Sequence, residues 1–344
     1  MSRTTIASDK PRGRADARHA CWQPTASLDA LRARARMLQR LRDFFAEREV
    51  LEVETPLLSA SATTDPALAS LRTRWSGSDA GSPLGQRLYL HTSPELPMKR
   101  LLAAGSGPIY QVCKVFRDGE RGRRHHPEFS LLEWYRPGWS LSALIDEVAD
   151  LVRVILDRPG LEREVLSYRQ LFMDRLQVDP WRATPAVLKA VARASGLEGC
   201  EHLELNRDGW LDLLMSQCLE PGLGRDRMTF VRDYPPSQAA LARLREGDPS
   251  VAERVELYLD GMELANGFDE LTDAKEQRAR FEADQRARRA AGQPVPPIDE
   301  AFLAALEAGM PASAGVALGL DRLLMCALGA DQIDAVLAFP VERA

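Results

Sequence analysis

The chain has 344 residues, with 45 Lys and Arg against 50 Asp and Glu, a formal net charge of −5 and 45% apolar residues. It is long enough for one large or two modest globular domains, and too acidic overall to gather nucleic acid non-specifically. Its five cysteines (Cys21, Cys113, Cys200, Cys218, Cys326) stand at no CxxC spacing, and no apolar run approaches the ~20 residues of a membrane span; this excludes a disulfide framework and a spanning helix, and a cytoplasmic protein is expected.

Residues 1–26 are rich in arginine, but Asp9, Pro11, Gly13 and Asp16 interrupt them and no apolar secretion core is present. They read as a disordered tail ahead of a single domain over 27–344. Ser27 is placed to cap a helix running to about Glu49, with Leu31, Ala35, Leu38, Leu41 and Phe45 as its buried stripe. Residues 50–56 alternate apolar and acidic side chains like a half-buried strand, with Pro56 ending it or holding it at an edge. The Gly- and Ser-rich stretch 72–86 reads as a loop or hairpin tip, 87–92 as a strand and 94–104 as a short helix. Residues 109–117 and 128–135 read as a long hairpin around the polar loop 118–126. Residues 141–220 read as mostly helical scaffold with breaks near Pro159 and Pro180. Residues 251–267 form a tight hairpin turning at Asp260 and Gly261, 272–290 a charged helix, and 315–328 a strand then a helix. Antiparallel hairpins among helices, without regular βαβ units, predict an α+β fold.

Three elements hold side chains suited to chemistry. A two-residue turn at Asp260-Gly261 sets Tyr258 opposite Glu263 and puts Glu256 diagonal to Glu263 on the same face. Such a pair is either a solvated sheet face or a seat for a divalent cation that bridges to phosphate. In the longer hairpin, Phe129, Leu131, Glu133 and Tyr135 share a face by period two, and Arg117 ends the facing strand. These are core residues beside a solvated loop, or a guanidinium for a phosphoryl group and a ring for a base. His125 and His126 are phosphate contacts or plain loop polars. Arg322 falls in the first turn of a helix after Gly319, where a guanidinium opposes the helix dipole unless an anion sits between them; the alternative is a surface pair with Asp321.

Taken together, these elements resemble motifs 1, 2 and 3 of the class II aminoacyl-tRNA synthetases, in the lysyl branch. The matching residues are Glu54-Thr55-Pro56, then Thr92 to Leu96 with Met98-Lys99-Arg100, then Phe116-Arg117 with His125 to Phe129 and Glu133 to Tyr135. Glu263 to Phe268, Glu270-Leu271 and Gly319 to Arg322 complete the series, which spans residues 27–344 nearly end to end. The resemblance implies an antiparallel six-stranded sheet flanked by helices and a homodimer joined near Pro56. It implies ATP and Mg²⁺ as cofactors, with Arg117 and Arg322 catalytic and Glu256 and Glu263 on the metal. The ATP contacts it implies are Arg117, Gly119, His125, His126, Phe129, Glu263, Leu264, Gly319 and Arg322. The amino-acid contacts it implies are Ser93, Glu95, Tyr135, Asn266, Glu270 and Ala317.

Two departures shape the functional expectation. Residues 1–26 are too few for the anticodon-binding OB domain of the lysyl enzymes, so tRNA is not the expected acceptor. The resemblance is therefore to truncated paralogues of that branch, which implies activation of (R)-β-lysine and its transfer to the ε-amino group of a lysine on elongation factor P. Ala317, where the lysyl enzymes usually have glycine, biases the pocket the same way by ~1–3 kcal/mol. The alternatives are a minimal lysyl-tRNA synthetase acting on an acceptor stem through Arg121, Arg123 and Arg124, and a catalytically silent regulatory paralogue. In the other departure, the family's Phe-Arg-x-Glu becomes Phe116-Arg117-Asp118-Gly119, and His126 replaces an asparagine. Either Gly119 through its backbone or a shifted Glu120 then fills the adenine-reading position.

Overall fold

The structure is a computed structural model that describes residues 22–77, 85–247 and 250–344. Most of the tail read at 1–26 lies outside the described residues. The boundary drawn at 27 falls slightly late, because the amides of Thr25 and Ala26 donate to Ala338 and Leu337 and Ala26 is buried.

Helix α1 (Leu28–Ala46) begins where Ser27 accepts from the Ala30 amide at 3.1 Å, and it buries Met37, Leu41, Phe44 and Phe45 on one stripe. The strand expected at 50–56 shrinks to β1 (Leu51–Glu52). Two short strands, β2 (Leu58–Ser59) and β3 (Arg72–Trp75), pair with β4 (Gln86–Leu90) in a small separate sheet, so part of the stretch read as loop is strand. The hairpin tip expected between β3 and β4 falls largely on residues 78–84, outside the described residues. Helix α2 (Glu95–Ala103) precedes the long hairpin of β5 (Ile109–Phe116) and β6 (Glu128–Pro137), which stands where the alternation predicted it.

Helix α3 (Leu141–Leu156) packs on the sheet, and the segment after it is less purely helical than expected. It holds β7 (Arg163–Ser167) and β8 (Met228–Tyr234) around α4 (Tyr168–Leu176), α5 (Pro185–Ala194) and α6 (Arg207–Leu214). Both strands add to the main sheet, and their short apolar runs have no alternation to mark them. A short β9 (Leu244–Arg245) leads to β10 (Val251–Leu259) and β11 (Met262–Asp269). Asp260 and Gly261 both take positive φ at their turn, as a type I′ hairpin requires. Helices α7 (Ala274–Ala290) and α8 (Glu300–Gly309), strand β12 (Ser313–Gly319) and helix α9 (Leu320–Leu328) complete the chain.

The main sheet has nine strands, in the order β1-β5-β6-β12-β11-β10-β8-β7 with β9 beside β10. The six-stranded antiparallel sheet expected from the resemblance is its central part, β5 to β8. The correction is at the edges, where β1 and β7 pair in parallel because each is fed by a crossover rather than a hairpin. One face, with Leu132, Trp134, Val316 and Leu318, packs on α1, α3 and α9. The other is shared between the apolar cluster of α4–α6 and that of α2, α7 and α8, with a cavity between them.

Candidate active site

The cavity, of about 330 Å³, is floored by the sheet face that period-two alternation assigned to Leu131, Glu133 and Tyr135. Asn266, Phe268 and Glu270 on and after β11, and Gly315 and Ala317 on β12, complete that floor; Ser93, Glu95 and the loop around Thr64 and Asp65 form its walls. All six residues expected to touch the amino acid thus line one space. Register explains the convergence: Ala317 stands between Glu133 and Asn266 on its two neighbouring strands, and Gly315 stands beside Tyr135. A β-carbon at Gly315 would fall inside 3.0 Å of both the Tyr135 ring and a Glu270 carboxylate oxygen, so glycine is required for those side chains to meet.

The electrostatics of this end are unusual for a protein interior. Glu133 is 2% exposed; it accepts from Ser93 Oγ at 2.6 Å and from Tyr135 Oη at 2.5 Å, both neutral donors. Burial pushes its carboxyl up to about 7, with Glu95 adding to the rise and the two hydroxyls opposing it. Glu270 is also buried and is pushed up to about 8, by burial first, while Lys99 pulls it down. Lys99 Nζ stands 2.6 Å from both Glu95 and Glu270. Burial alone would lower Lys99, but the two carboxylates outweigh it and keep the ammonium protonated. Asn266 Oδ1 is buried without a hydrogen-bond partner among the described residues. Sequence reading assigned no role to Glu133 in binding and did not foresee that Glu95 and Glu270 share an internal ammonium.

At the other end, Arg117 leaves β5 with its guanidinium 5.0 Å from the centre of the Phe129 ring and 3.7 Å from Glu120. Its Nε is buried and unpartnered among the described residues, as is Nε of Arg254, a cavity-lining residue that sequence reading passed over. Gly119 takes φ +80° with open space around it, which suits a backbone-reading loop, and Glu120 stays beside Arg117. Arg322 does not pair with Asp321, which is buried against Arg34 and the Ser130 amide. Arg322 instead donates to the backbone oxygens of Glu263 (2.8 Å) and Arg124 (3.3 Å) and to His125 Nε2 (2.7 Å). Three of its five N–H groups are so used and the guanidinium also stands 3.6 Å from the Glu263 carboxylate, with two N–H groups left to donate to an anion. Partial desolvation and the Arg322 guanidinium lower the His125 imidazole, consistent with its accepting that bond. His126 differs from expectation: it is buried, with Nδ1 bonded to the Glu128 backbone and Nε2 to the Val341 amide, so it anchors the loop and has no ring nitrogen left for ATP.

The hairpin keeps Tyr258 opposite Glu263 as predicted, but a bulge after that pair brings Glu256 opposite Asn266. Glu256 is no solvated carboxylate: Arg254, Tyr234 and Tyr258 all donate to it. Burial and Glu256 push Glu263 upward, although 36% of its side chain still meets solvent, and Glu220 adds a third carboxylate whose oxygen faces the Glu263 amide at 3.4 Å. Among the described residues no group of three His, Cys, Asp or Glu is arranged to hold a metal unaided. Gly319 and Leu264 lie side by side, with the Leu264 carbonyl 3.8 Å from where a Gly319 β-carbon would be.

The main sheet thus carries one arginine at the end of β5 on the long hairpin and another in the first turn of the helix that follows β12. The family model of class II tRNA synthetases (D, K and N) matches residues 11–343, and the chain belongs to that family. Among curated proteins it is similar to elongation factor P–(R)-β-lysine ligase of Enterobacter sp. (strain 638), 50% identical over 94% of this chain and 99% of that protein. It is also similar to the proteins of the same name from Proteus mirabilis (strain HI4320) and Erwinia tasmaniensis, each 51% identical over 94% of this chain and 98% of the relative. Among the described residues no helix is long and apolar enough to cross a membrane.

Proposed function

We propose that this protein activates (R)-β-lysine with ATP as an adenylate and transfers it to the ε-amino group of a lysine on elongation factor P, in the cytoplasm. The observation that carries the reading is the charge count at the inner end of the cavity. Glu95, Glu133 and Glu270 face one resident ammonium, Lys99, so with all three ionised two negative charges remain for a ligand. A diamino acid brings two ammonium groups, and its carboxylate then points to the Arg117 end. An uncompensated buried charge is costly, so a mono-amino acid would leave one carboxylate unmatched. The names of the relatives support the same amino acid and acceptor.

In the first step the substrate carboxylate attacks the α-phosphorus of ATP and the bond to pyrophosphate breaks, with Arg117 neutralising the charge that develops. Phe129 offers its half-buried ring to adenine, and Arg322 offers its two free N–H groups to the outer phosphates. Glu263 fits Mg²⁺, being a partly exposed carboxylate crowded by Glu256 and Glu220 whose repulsion a cation would relieve, and phosphate oxygens would complete the shell; Glu256, already accepting from Arg254, Tyr234 and Tyr258, would contribute little to it. When bound there, the ion supplies charge neutralisation at the phosphates. In the second step the deprotonated ε-amine of the acceptor lysine attacks the acyl carbon, the amide bond forms and AMP leaves with the electrons of the broken bond. We also assign a homodimer contact to the exposed Leu51, Leu57 and Leu58 around Pro56, testable by light scattering on a Leu58→Glu variant.

Loop arginines gave the tRNA reading its support, and that support weakens here. Arg121 pairs with Asp334 and Glu342, Arg123 with Asp331, and Arg124 donates to the Gly261 carbonyl. The test is incubation with ATP, Mg²⁺, (R)-β-lysine and purified elongation factor P, followed by intact mass. One added β-lysyl residue on the acceptor supports the reading, and an unmodified acceptor refutes it.

A further inference from the structure

Lysine is rarely buried completely, and when it is, it is paired. Lys99 has a side-chain exposure of 0%, and its partners come from different elements: Glu95 one helical turn earlier on α2, and Glu270 at the end of β11. Glu95 and Glu270 both line the cavity, whereas Lys99 does not; the ammonium stands behind the carboxylates rather than in the space a ligand fills. Glu270 is otherwise fixed through its backbone, its amide donating to Ser313 O at 2.9 Å. A buried cation in that place leaves the cavity empty and its wall charged.

We propose that Lys99 is a positioning residue for the amino-acid substrate: its ammonium bridges Glu95 and Glu270 from behind, orients both carboxylates and favours the ionised form in which they accept the substrate's amino groups. This rests on the diamino-acid reading above. The charged and titratable groups facing Glu270 are Lys99 and Glu95 on α2, and Glu133 and Tyr135 on β6; Gly315 on β12 and Phe281 on α7 add no charge. Lys99 is the cation of that set. Without it, three neighbouring carboxylates in a poorly solvated space shed charge by taking up protons, and a neutral carboxyl no longer attracts an ammonium.

The experiment measures ATP–pyrophosphate exchange with (R)-β-lysine for the wild type and Lys99→Met, from about pH 6.5 to 9. For the wild type, KM for the amino acid falls as pH rises and levels once Glu270 is ionised. In Lys99→Met that fall moves upward by about one pH unit, so KM near neutrality rises roughly tenfold and the two curves converge at the alkaline end. The variant's kcat and its KM for ATP stay within about threefold of wild type. A Lys99→Met/Glu270→Gln variant removes the cation and one of its two carboxylates and so serves if the single variant does not fold; its KM exceeds that of Glu270→Gln alone, because Glu95 has also lost its ammonium. A wild-type pH profile in Lys99→Met, or a KM in the double variant equal to that of Glu270→Gln alone, overturns the proposal. A joint fall of kcat and both affinities without alkaline recovery also overturns it, because that is the mark of a structural brace alone. Failure of the wild type to exchange with any diamino acid overturns the underlying reading instead.

Discussion

Replacing Gly315 by alanine tests the geometry of the amino-acid end most stringently, because it adds one methyl and removes no chemical group. The new β-carbon would lie inside 3.0 Å of the Tyr135 ring and of Glu270 Oε1, against the ~3.5–4.0 Å of an ordinary carbon contact. Both neighbours, or the β12 backbone itself, must retreat by more than about 1 Å. Tyr135 cannot do so without stretching its 2.5 Å bond to Glu133, nor Glu270 without leaving Lys99, 2.6 Å away. Losing one charge-assisted hydrogen bond costs about 1.5–3 kcal/mol, which is roughly 10- to 150-fold in affinity. ATP–pyrophosphate exchange should therefore show KM for the diamino acid raised by that factor, while ATP binding measured calorimetrically without amino acid is unchanged. A KM within twofold of wild type would refute the packing argument, and an equal loss of ATP binding would show that the sheet itself had been disturbed.

Glu270→Gln should weaken diamino-acid activation about tenfold or more and spare ATP binding, as read by exchange and calorimetry; equal loss of both would remove the role assigned to Glu270. Arg322→Ala should show the reverse split, raising KM for ATP about tenfold or more with little change for the amino acid, since Arg322 touches the Glu263 and Arg124 backbone and His125 but not the cavity wall. The raised Glu133 carboxyl has a sign that can be checked by thermal melting. A carboxyl held at about 7 in the fold and near its usual value when unfolded favours the folded state below the unfolded value, and that stability is lost as pH rises toward 7. Relative to Glu133→Gln, the wild type should lose melting temperature between about pH 5 and 7.5 and regain it with bound diamino acid; parallel curves would contradict the assignment.

Much of the site was legible in the sequence because strand alternation decides which side chains share a face. Period two from Phe129 to Tyr135 put Glu133 and Tyr135 on the cavity floor, and the Asp260-Gly261 turn fixed Tyr258 opposite Glu263. Packing across long sequence separations was not legible. The pairing of Lys99 with Glu270, the burial of His126 against Val341 and the capture of Asp321 by Arg34 each join residues far apart in the chain or in different elements, which no local pattern encodes. Strands β7 and β8 were missed for a related reason. Their short apolar runs lie among helices, and only the pairing of β8 with β10 and of β7 with β8 makes them part of the sheet. The bulge beside Leu264 was also invisible, since a tight turn specifies register only until a residue is inserted.

The central claim is that the charged cavity selects a diamino acid with a displaced amino group and passes it to a protein. The most direct measurement is amino-acid-dependent ATP–pyrophosphate exchange with (R)-β-lysine and α-lysine in parallel, each followed by transfer to purified elongation factor P and to lysine tRNA. The account predicts stronger exchange with (R)-β-lysine and label on elongation factor P. Preference for α-lysine with label on tRNA would contradict it.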